Sequence, residues 1–324
     1  MADQVIVQPA YFSPIMAEEW AKQQNLLNPA NGIVTIGGNQ EVTKGGEIFT
    51  WRINEPIGDD YEDITSQNTE LTPDVLDQKE MKGISIPIGK TYKESKYNQT
   101  LTGQDTLNAN LVKGFATWTV GGVQKKLAKS VLGAFKAASA TPFIYDITGI
   151  GNGNIIDTTL IDIIAVKIPN KNEGYFNTLV VHAHVFADMK KSKLLTYNNT
   201  LLGAEISQNT GMPNINGIKV IANSQMCAPT DGVYPSYLCA DGAFVVDYQR
   251  DPIIYKEFFA KVGGGTEEIT FYETIFATVM GASWIGAGGV KPTDANLLTG
   301  TNWEWIYFDA ENAKCIQILS TLTA

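Results

Sequence analysis

Arginine is almost absent from this chain: of its 24 basic residues only Arg52 and Arg250 are arginine. Lysine is a hydrated point charge without the planar fork that reads base edges and clamps phosphates, so such recognition is poorly supplied. A net charge of −10 at pH 7 also removes the basic field of a nucleic-acid coat. Histidine is scarce, with only His182 and His184, which leaves Ser-His-Asp chemistry almost no material. Cys227, Cys239 and Cys315 are odd in number and form no CxxC, so a reducing compartment is the simpler expectation. No apolar run reaches the ~18 residues of a membrane helix. The nearest approach, Thr274 to Gly286, is read as a buried strand. The opening MADQVIVQPAYFSP shows neither the basic nor the apolar region of a secretion signal. The expectation is a soluble chain, intracellular when made, with no membrane partner.

What is present is a pair of segments of opposite charge. Residues 55–80 hold nine acids and one base, Lys79; residues 106–145 hold five lysines (Lys113, Lys125, Lys126, Lys129, Lys136) and no acid. Opposed fields of this size steer association and suppress wrong registers. Each exposed pair adds only about 0–1 kcal/mol. Asp59, Asp60, Glu62 and Asp63 are therefore candidate inter-subunit contacts, with Lys113, Lys125, Lys126 and Lys129 as their counterparts; the plain alternative is a solvated surface for each. The 324 residues, 44% hydrophobic, suffice for one large or two modest cores.

Ser13-Pro14 opens a short helix in an N-terminal arm. Phe49, Trp51 and Ile53 alternate as a half-buried strand, and Ile84, Ile86 and Ile88 repeat the pattern. Pro87, without a ladder donor, places the second strand at an edge or an exposed position. The acidic excursion between them reads as a long projecting arm. From Asp105 to about Ala138, apolar residues at helical spacing predict a helix of about 50 Å. Gly121 and Gly122 interrupt it as candidate hinges. Further on, Asp157 to Ile168 reads as a helix, and Thr178 to Val185 as a strand leading into a helix through Met189. Gly217 to Ala222 and Tyr237 to Val246 read as strands. Ile269, Phe271, Ile275, Ala277 and Val279 share one strand face, with Glu273 as the exception. Trp303 to Phe308 and Cys315 to Leu319 read as a final hairpin.

Candidates for chemistry are weak. On a strand His182 and His184 would point to one side as a metal pair, but no acid or Cys lies near them in sequence, and polar strand positions are the simpler reading. The run Gly149-Ile-Gly-Asn-Gly-Asn does not match GxGxxG and reads as a turn. Gly263-Gly264-Gly265 reads as a flexible connection. Asp59-Asp60-Tyr61-Glu62-Asp63 lacks EF-hand spacing. No catalytic, cofactor-binding or metal-binding residue is expected.

The order of parts resembles the major capsid protein family of tailed bacteriophages, the Hong Kong 97-like fold shared with encapsulins. The segments that carry the resemblance are Phe176-Asn-Thr-Leu-Val-Val-His, Gly217-Ile-Lys-Val-Ile-Ala and Tyr237-Leu-Cys-Ala-Asp-Gly-Ala-Phe, then Gly281-Ala-Ser-Trp-Ile-Gly, Pro292-Thr-Asp-Ala-Asn-Leu and Asn302-Trp-Glu. The resemblance implies an α+β fold: an N-terminal arm (1–45), an extended loop (46–96), a peripheral domain with a long spine helix (97–144 and 251–324) and an axial domain (145–250). It also implies a structural protein, not an enzyme, that assembles with itself into hexamers and pentamers. These would close an icosahedral shell around double-stranded DNA, held by non-specific contact, and the chain would reside in the virion after assembly in the host cytoplasm. The chain lacks a long charged N-terminal scaffold segment, so a separate scaffolding protein is expected, with a portal and a decoration protein as further partners. Lys79 and Lys82 lie near the loop, but no partner Asn or catalytic Glu for covalent cross-linking is identified. Alternatives are an encapsulin-type compartment, a metal- or nucleotide-dependent enzyme built on His182, His184 and residues 149–154, and, disfavoured by the missing signal, a secreted adhesin.

Overall fold

The structure is a computed structural model that describes residues 32–36, 48–54, 78–102, 106–149, 156, 175–197, 200–201, 207–208, 213–248, 253–260, 264–286, 291–306 and 313–322. The expected helices at Ser13-Pro14 and 157–168, the acidic residues 55–77 and most of the 149–154 turn lie outside them. The fold is α+β. Its strands are β1 (Val34–Ile36), β2 (Ile48–Asn54), β3 (Gln78–Ser95), β4 (Ile144–Asp146), β5 (Phe176–Val181), β6 (Thr196–Tyr197), β7 (Thr200–Leu201), β8 (Ser207–Gln208) and β9 (Pro213–Ile215), followed by β10 (Ile218–Ala222), β11 (Val233–Ala240), β12 (Phe244–Tyr248), β13 (Ile253–Phe259), β14 (Thr266–Val279), β15 (Ala282–Trp284), β16 (Trp303–Trp305) and β17 (Cys315–Thr321). The helices are α1 (Lys96–Thr102), α2 (Thr106–Ala134), α3 (Ala183–Lys191) and α4 (Asp294–Leu298). None of them is long and apolar enough to cross a membrane.

Two sheets organise the described residues. The first has the order β1-β12-β14-β3-β2, with β13 also paired to β14. Its centre is the long antiparallel pair β3 and β14, in register from Thr266 opposite Ser95 to Phe276 opposite Ser85. The expected apolar positions are in the core: Ile84, Ile86 and Ile88 on β3, and Ile269, Phe271 and Ile275 on β14, are all buried, although Ser85 between the isoleucines is buried as well. Pro87 agrees with the edge expectation. β2 pairs with β3 only from Gln78 to Ile84 and β14 only from Ser85 to Ser95, so at Pro87 β3 has a partner on one side and the missing N–H interrupts no β2 ladder. At the β2 end one face of the sheet is covered by aromatic rings, while Ile48 and Arg52 on the other are exposed. Phe49 and Trp51 pack on Phe276, with ring centroids 6.0 and 4.5 Å apart. The Phe276 ring lies on the backbone of Gly83, where a Cβ would sit 1.6 Å from Cε2.

The second sheet has the order β4-β17-β11-β5-β10-β9-β6. The final hairpin expected from the sequence is not formed. β16 pairs with β15, whereas β17 pairs with β11 and β4. Nor is Tyr237–Val246 one strand. The chain turns at Asp241-Gly242, leaving β11 in the second sheet and β12 in the first. β1 runs parallel to β12 beside this crossing.

α2 joins the two sheets. Val120, Val123, Leu127, Val131 and Ala134 are buried at spacings of three and four. Trp118 meets Phe271 of the first sheet edge-on at 5.4 Å, and just past the helix Phe135 meets Tyr237 of the second at 5.3 Å. One apolar core therefore runs across both sheets. The helix covers 29 residues, ending short of the expected Ala138. Its exit tightens to i→i−3 bonds, Lys136 N–H donating to Gly133 O and Ala137 N–H to Ala134 O. A 3₁₀ turn, Ala138–Phe143, follows with Pro142 inside it.

Candidate assembly surface

The lysines of α2 divide into two kinds. Lys126 Nζ lies 2.6 Å from Asp294 Oδ1, and Lys129 holds Oδ2 of the same carboxylate. Hydrogen bonds from the two lysines hold the Asp294 carboxyl below its ordinary value. Asp294 opens α4, which Thr293 caps by accepting from the Asn296 N–H. The short helix is fixed on α2 by close approach. A Cβ on Gly133 would lie 1.8 Å from Leu297 O. Trp303 Nε1–H donates to that same oxygen at 2.9 Å, and Trp305 Nε1–H donates to Ala134 O at 2.8 Å. Lys126 and Lys129 are thus engaged within their own subunit. Lys125 and Lys136 are exposed. The Lys113 side chain and the acids Asp59, Asp60, Glu62 and Asp63 lie outside the described residues.

A second surface gathers at the far end of β3, β13 and β14. Tyr97 is 62% exposed, Leu101 67% and Phe258 52%, with Tyr92, Tyr255 and Phe259 exposed nearby. Beside them lies a small ion-pair network: Lys96 Nζ to Glu267 Oε1 at 2.8 Å, Lys256 Nζ to Glu267 Oε2 at 3.5 Å, and Lys93 Nζ to Glu268 Oε1 at 3.2 Å. Burial alone would raise the Glu267 pKa, but the hydrogen bond from Lys96 and the charge of Lys256 outweigh it and leave the group below its ordinary value. β13 pairs with β14 on one side only among the described residues. An apolar edge strand of this kind is a template for association.

Comparison with known proteins adds to this geometry. No family model matches the chain. It is 22% identical over 282 residues to the major capsid protein of Bacillus phage SPP1, covering 84% of each. Among solved structures it superposes on the capsid asymmetric unit of cyanophage Pam1 with a TM-score of 0.60, at 12% identity and 92% coverage of both chains. The capsid of Ralstonia phage GP4 gives a TM-score of 0.56 at 9% identity, over 91% of this chain and 88% of that one. The chain has the fold of the phage major capsid proteins. The resemblance read from the sequence is found again in the architecture.

Within this capsid-protein fold the histidines do not form the strand pair expected. β5 stops at Val181, and His182 is the N-cap of α3, its Nδ1 accepting from the His184 N–H at 3.1 Å. The rings lie 5.0 Å apart, and Tyr234 lies 5.0 Å from His182. Partial burial, and then the neighbouring His184, lower the His182 pKa. The sequence reading extended the strand because Val-Val-His-Ala-His-Val alternates; the side-chain cap ends it. No group of three or more metal ligands occurs among the described residues. All three cysteines are buried and free. Cys239 and Cys315 stand opposite each other on β11 and β17, with sulfurs 3.7 Å apart.

Sequence reasoning marked Glu273 only as an exception. It is 1% exposed on the core side of β14, and neither carboxylate oxygen has a hydrogen-bond partner among the described residues. Burial pushes its pKa up to about 8. A single acid amid an otherwise apolar face was the available signal.

Proposed function

We propose that this chain is the major capsid subunit of a tailed phage, assembling into hexamers and pentamers of a closed icosahedral shell that encloses double-stranded DNA. The observation that carries the reading is a capsid-protein fold spanning about nine-tenths of both chains, together with sequence likeness to a major capsid protein. In this reading the virion is its place, its mechanism is self-assembly, and no residue is catalytic. The second sheet, with β17 added to the strands between Phe176 and Ala240, acts as the axial domain, and the first sheet with α2 as the peripheral domain. Of the extended loop, 46–96, β2 and β3 belong to the first sheet, and the segment between them lies over an adjacent subunit. Apolar burial supplies most of the assembly energy and charge sets the register. A separate scaffolding protein, a portal and a decoration protein complete the particle.

Negative-stain electron microscopy with light scattering tests this. Closed shells, or rings of five and six, are expected from the purified chain alone or after co-expression with a scaffold. A stable monomer or dimer under both conditions overturns the reading.

A further inference from the structure

Cys239 and Cys315 face each other in the register of β11 and β17, and their sulfurs lie 3.7 Å apart. The next pair along, Ala240 and Lys314, is joined by a hydrogen bond from the Ala240 N–H to the Lys314 oxygen at 2.8 Å. Antiparallel pairs alternate, so Cys239 and Cys315 form the narrow, non-hydrogen-bonded kind, with Cα atoms about 4.5 Å apart. A disulfide spans Cα distances of about 4.4–6.8 Å with an S–S bond of about 2.05 Å. The backbone is therefore already placed for one, and the sulfurs have only about 1.7 Å to close by rotation about χ1. Cys227 is the internal contrast: it is equally buried, but its thiol donates to Val180 O at 3.5 Å.

The pair also sits where a bond has consequences. In the second sheet β17 lies between β11 and β4, and β4 has no other partner among the described residues. Between the two cysteines, 76 positions apart, the chain crosses to the first sheet as β12, β13 and β14 and then returns as β17. Closing that loop removes conformations from the unfolded chain and ties the return strand to the sheet it rejoins.

We propose that Cys239 and Cys315 are an oxidation site, converted by a hydroperoxide into a disulfide that staples β17 to β11. A reagent near the size of water suits thiols with no exposed surface. One sulfur attacks the peroxide, the O–O bond breaks, and a sulfenic acid and one water form. The second sulfur attacks the sulfenic sulfur, the S–O bond breaks, and the hydroxide leaves with the second thiol's proton as another water. Two thiols thus give up two electrons and two protons, and one peroxide becomes two waters. Burial holds the Cys315 thiol well above its ordinary value, so thiolate is scarce and the reaction is slow. In the assembly reading above, thiols stay reduced where the chain is made, and the staple closes after the particle has left the cell. That timing rests on the reading; the bond itself does not.

Thiol mapping of the native chain tests it. The purified chain, reduced and freed of reductant, is held overnight in hydrogen peroxide and quenched with catalase. It is then unfolded in guanidinium with N-ethylmaleimide and digested for mass spectrometry. The expected result is alkylated Cys227, with Cys239 and Cys315 recovered as one linked pair of peptides that dithiothreitol separates. The unfolding equilibrium constant in urea should fall at least about thirty-fold in the oxidised chain and return on reduction. C315A should show neither the linked peptides nor the shift; if it does not fold, the wild-type map alone decides. Three alkylated thiols after peroxide, separately oxidised cysteines, or a bond to Cys227 or to another chain overturns the site. A correct bond with an unchanged unfolding constant overturns the staple. Each readout comes from a single chain, assembled or not, so failure here leaves the capsid reading standing, and failure to form shells leaves this site standing.

Discussion

Alanine at Gly133 and alanine at Gly121 should move stability in opposite directions, although both positions lie in α2. Helix propensity favours alanine by up to about 1 kcal/mol at each. At Gly121 nothing opposes this, because the new methyl meets no atom within 4 Å. At Gly133 the methyl would collide with the backbone oxygen of Leu297 and with Trp303 Nε1, breaking the Trp303–Leu297 hydrogen bond and forcing α4 off the helix. Overpacking of this kind costs about 1–3 kcal/mol, so sterics outweigh propensity. Urea midpoints of the unassembled subunit should rise for Gly121→Ala and fall for Gly133→Ala. If both rise, α4 is not seated as described.

Glu273 belongs to the same scale. Its carboxyl keeps its proton up to about pH 8 in the folded chain, whereas the ordinary value is 4.5. Between those limits the folded state binds one more proton than the unfolded state, so stability falls as pH rises, by about 1.4 kcal/mol per pH unit from this group. Glu273→Gln removes that slope. Denaturation midpoints measured at pH 5 and pH 8 should converge in the variant relative to wild type. An unchanged difference would show that Glu273 is ionised in the folded chain.

At the scale of elements, periodicity revealed the strands and helix whose faces differ. The first half of β14 alternates between buried and half-buried positions, whereas on β3 only the apolar Ile84, Ile86 and Ile88 alternate in sequence and the burial itself does not. Strand pairing was legible only where it was local. Val233–Ala240 and Phe244–Tyr248 are largely buried, so no alternation marked which sheet each would join; the Asp241-Gly242 turn was the one signal of a break. β17 could not be placed from sequence because its partners, β11 and β4, lie far back in the chain. The lysine face of α2 was half legible: the lysine block was visible, but not the capture of Lys126 and Lys129 by Asp294, a contact across 165 or more residues. The exposed end of β13 makes its own prediction. Phe258→Ser with Phe259→Ser removes half-exposed rings, so the subunit's urea midpoint should move little, by about 0.5 kcal/mol or less. Particle yield by sedimentation should nonetheless drop, because the apolar edge strand would lose its means of association. Unchanged yield would exclude this end from the shell contacts.

For the whole molecule, two electrostatic effects oppose each other. Each copy carries −10 at pH 7, so copies repel at long range, and removing acids anywhere should hasten their approach. The acids at 59–63 are proposed to do the reverse locally, drawing the lysines of a neighbour's α2 into register. Replacing Asp59, Asp60, Glu62 and Asp63 by Asn or Gln separates the two effects. If only net charge matters, assembly followed by light scattering becomes faster at low salt. If the local attraction dominates, it becomes slower or yields misassembled particles. Either difference should shrink as salt rises, since the Debye length contracts from about 30 Å at 0.01 M to about 3 Å at 1 M. The slower outcome is expected, because association is rate-limited by finding the docked orientation, and charges at the contact act there at short range while the remaining charge is spread over the whole surface. Faster assembly at low salt would make the acidic segment a source of repulsion only, and the lysines of α2 would then need another explanation.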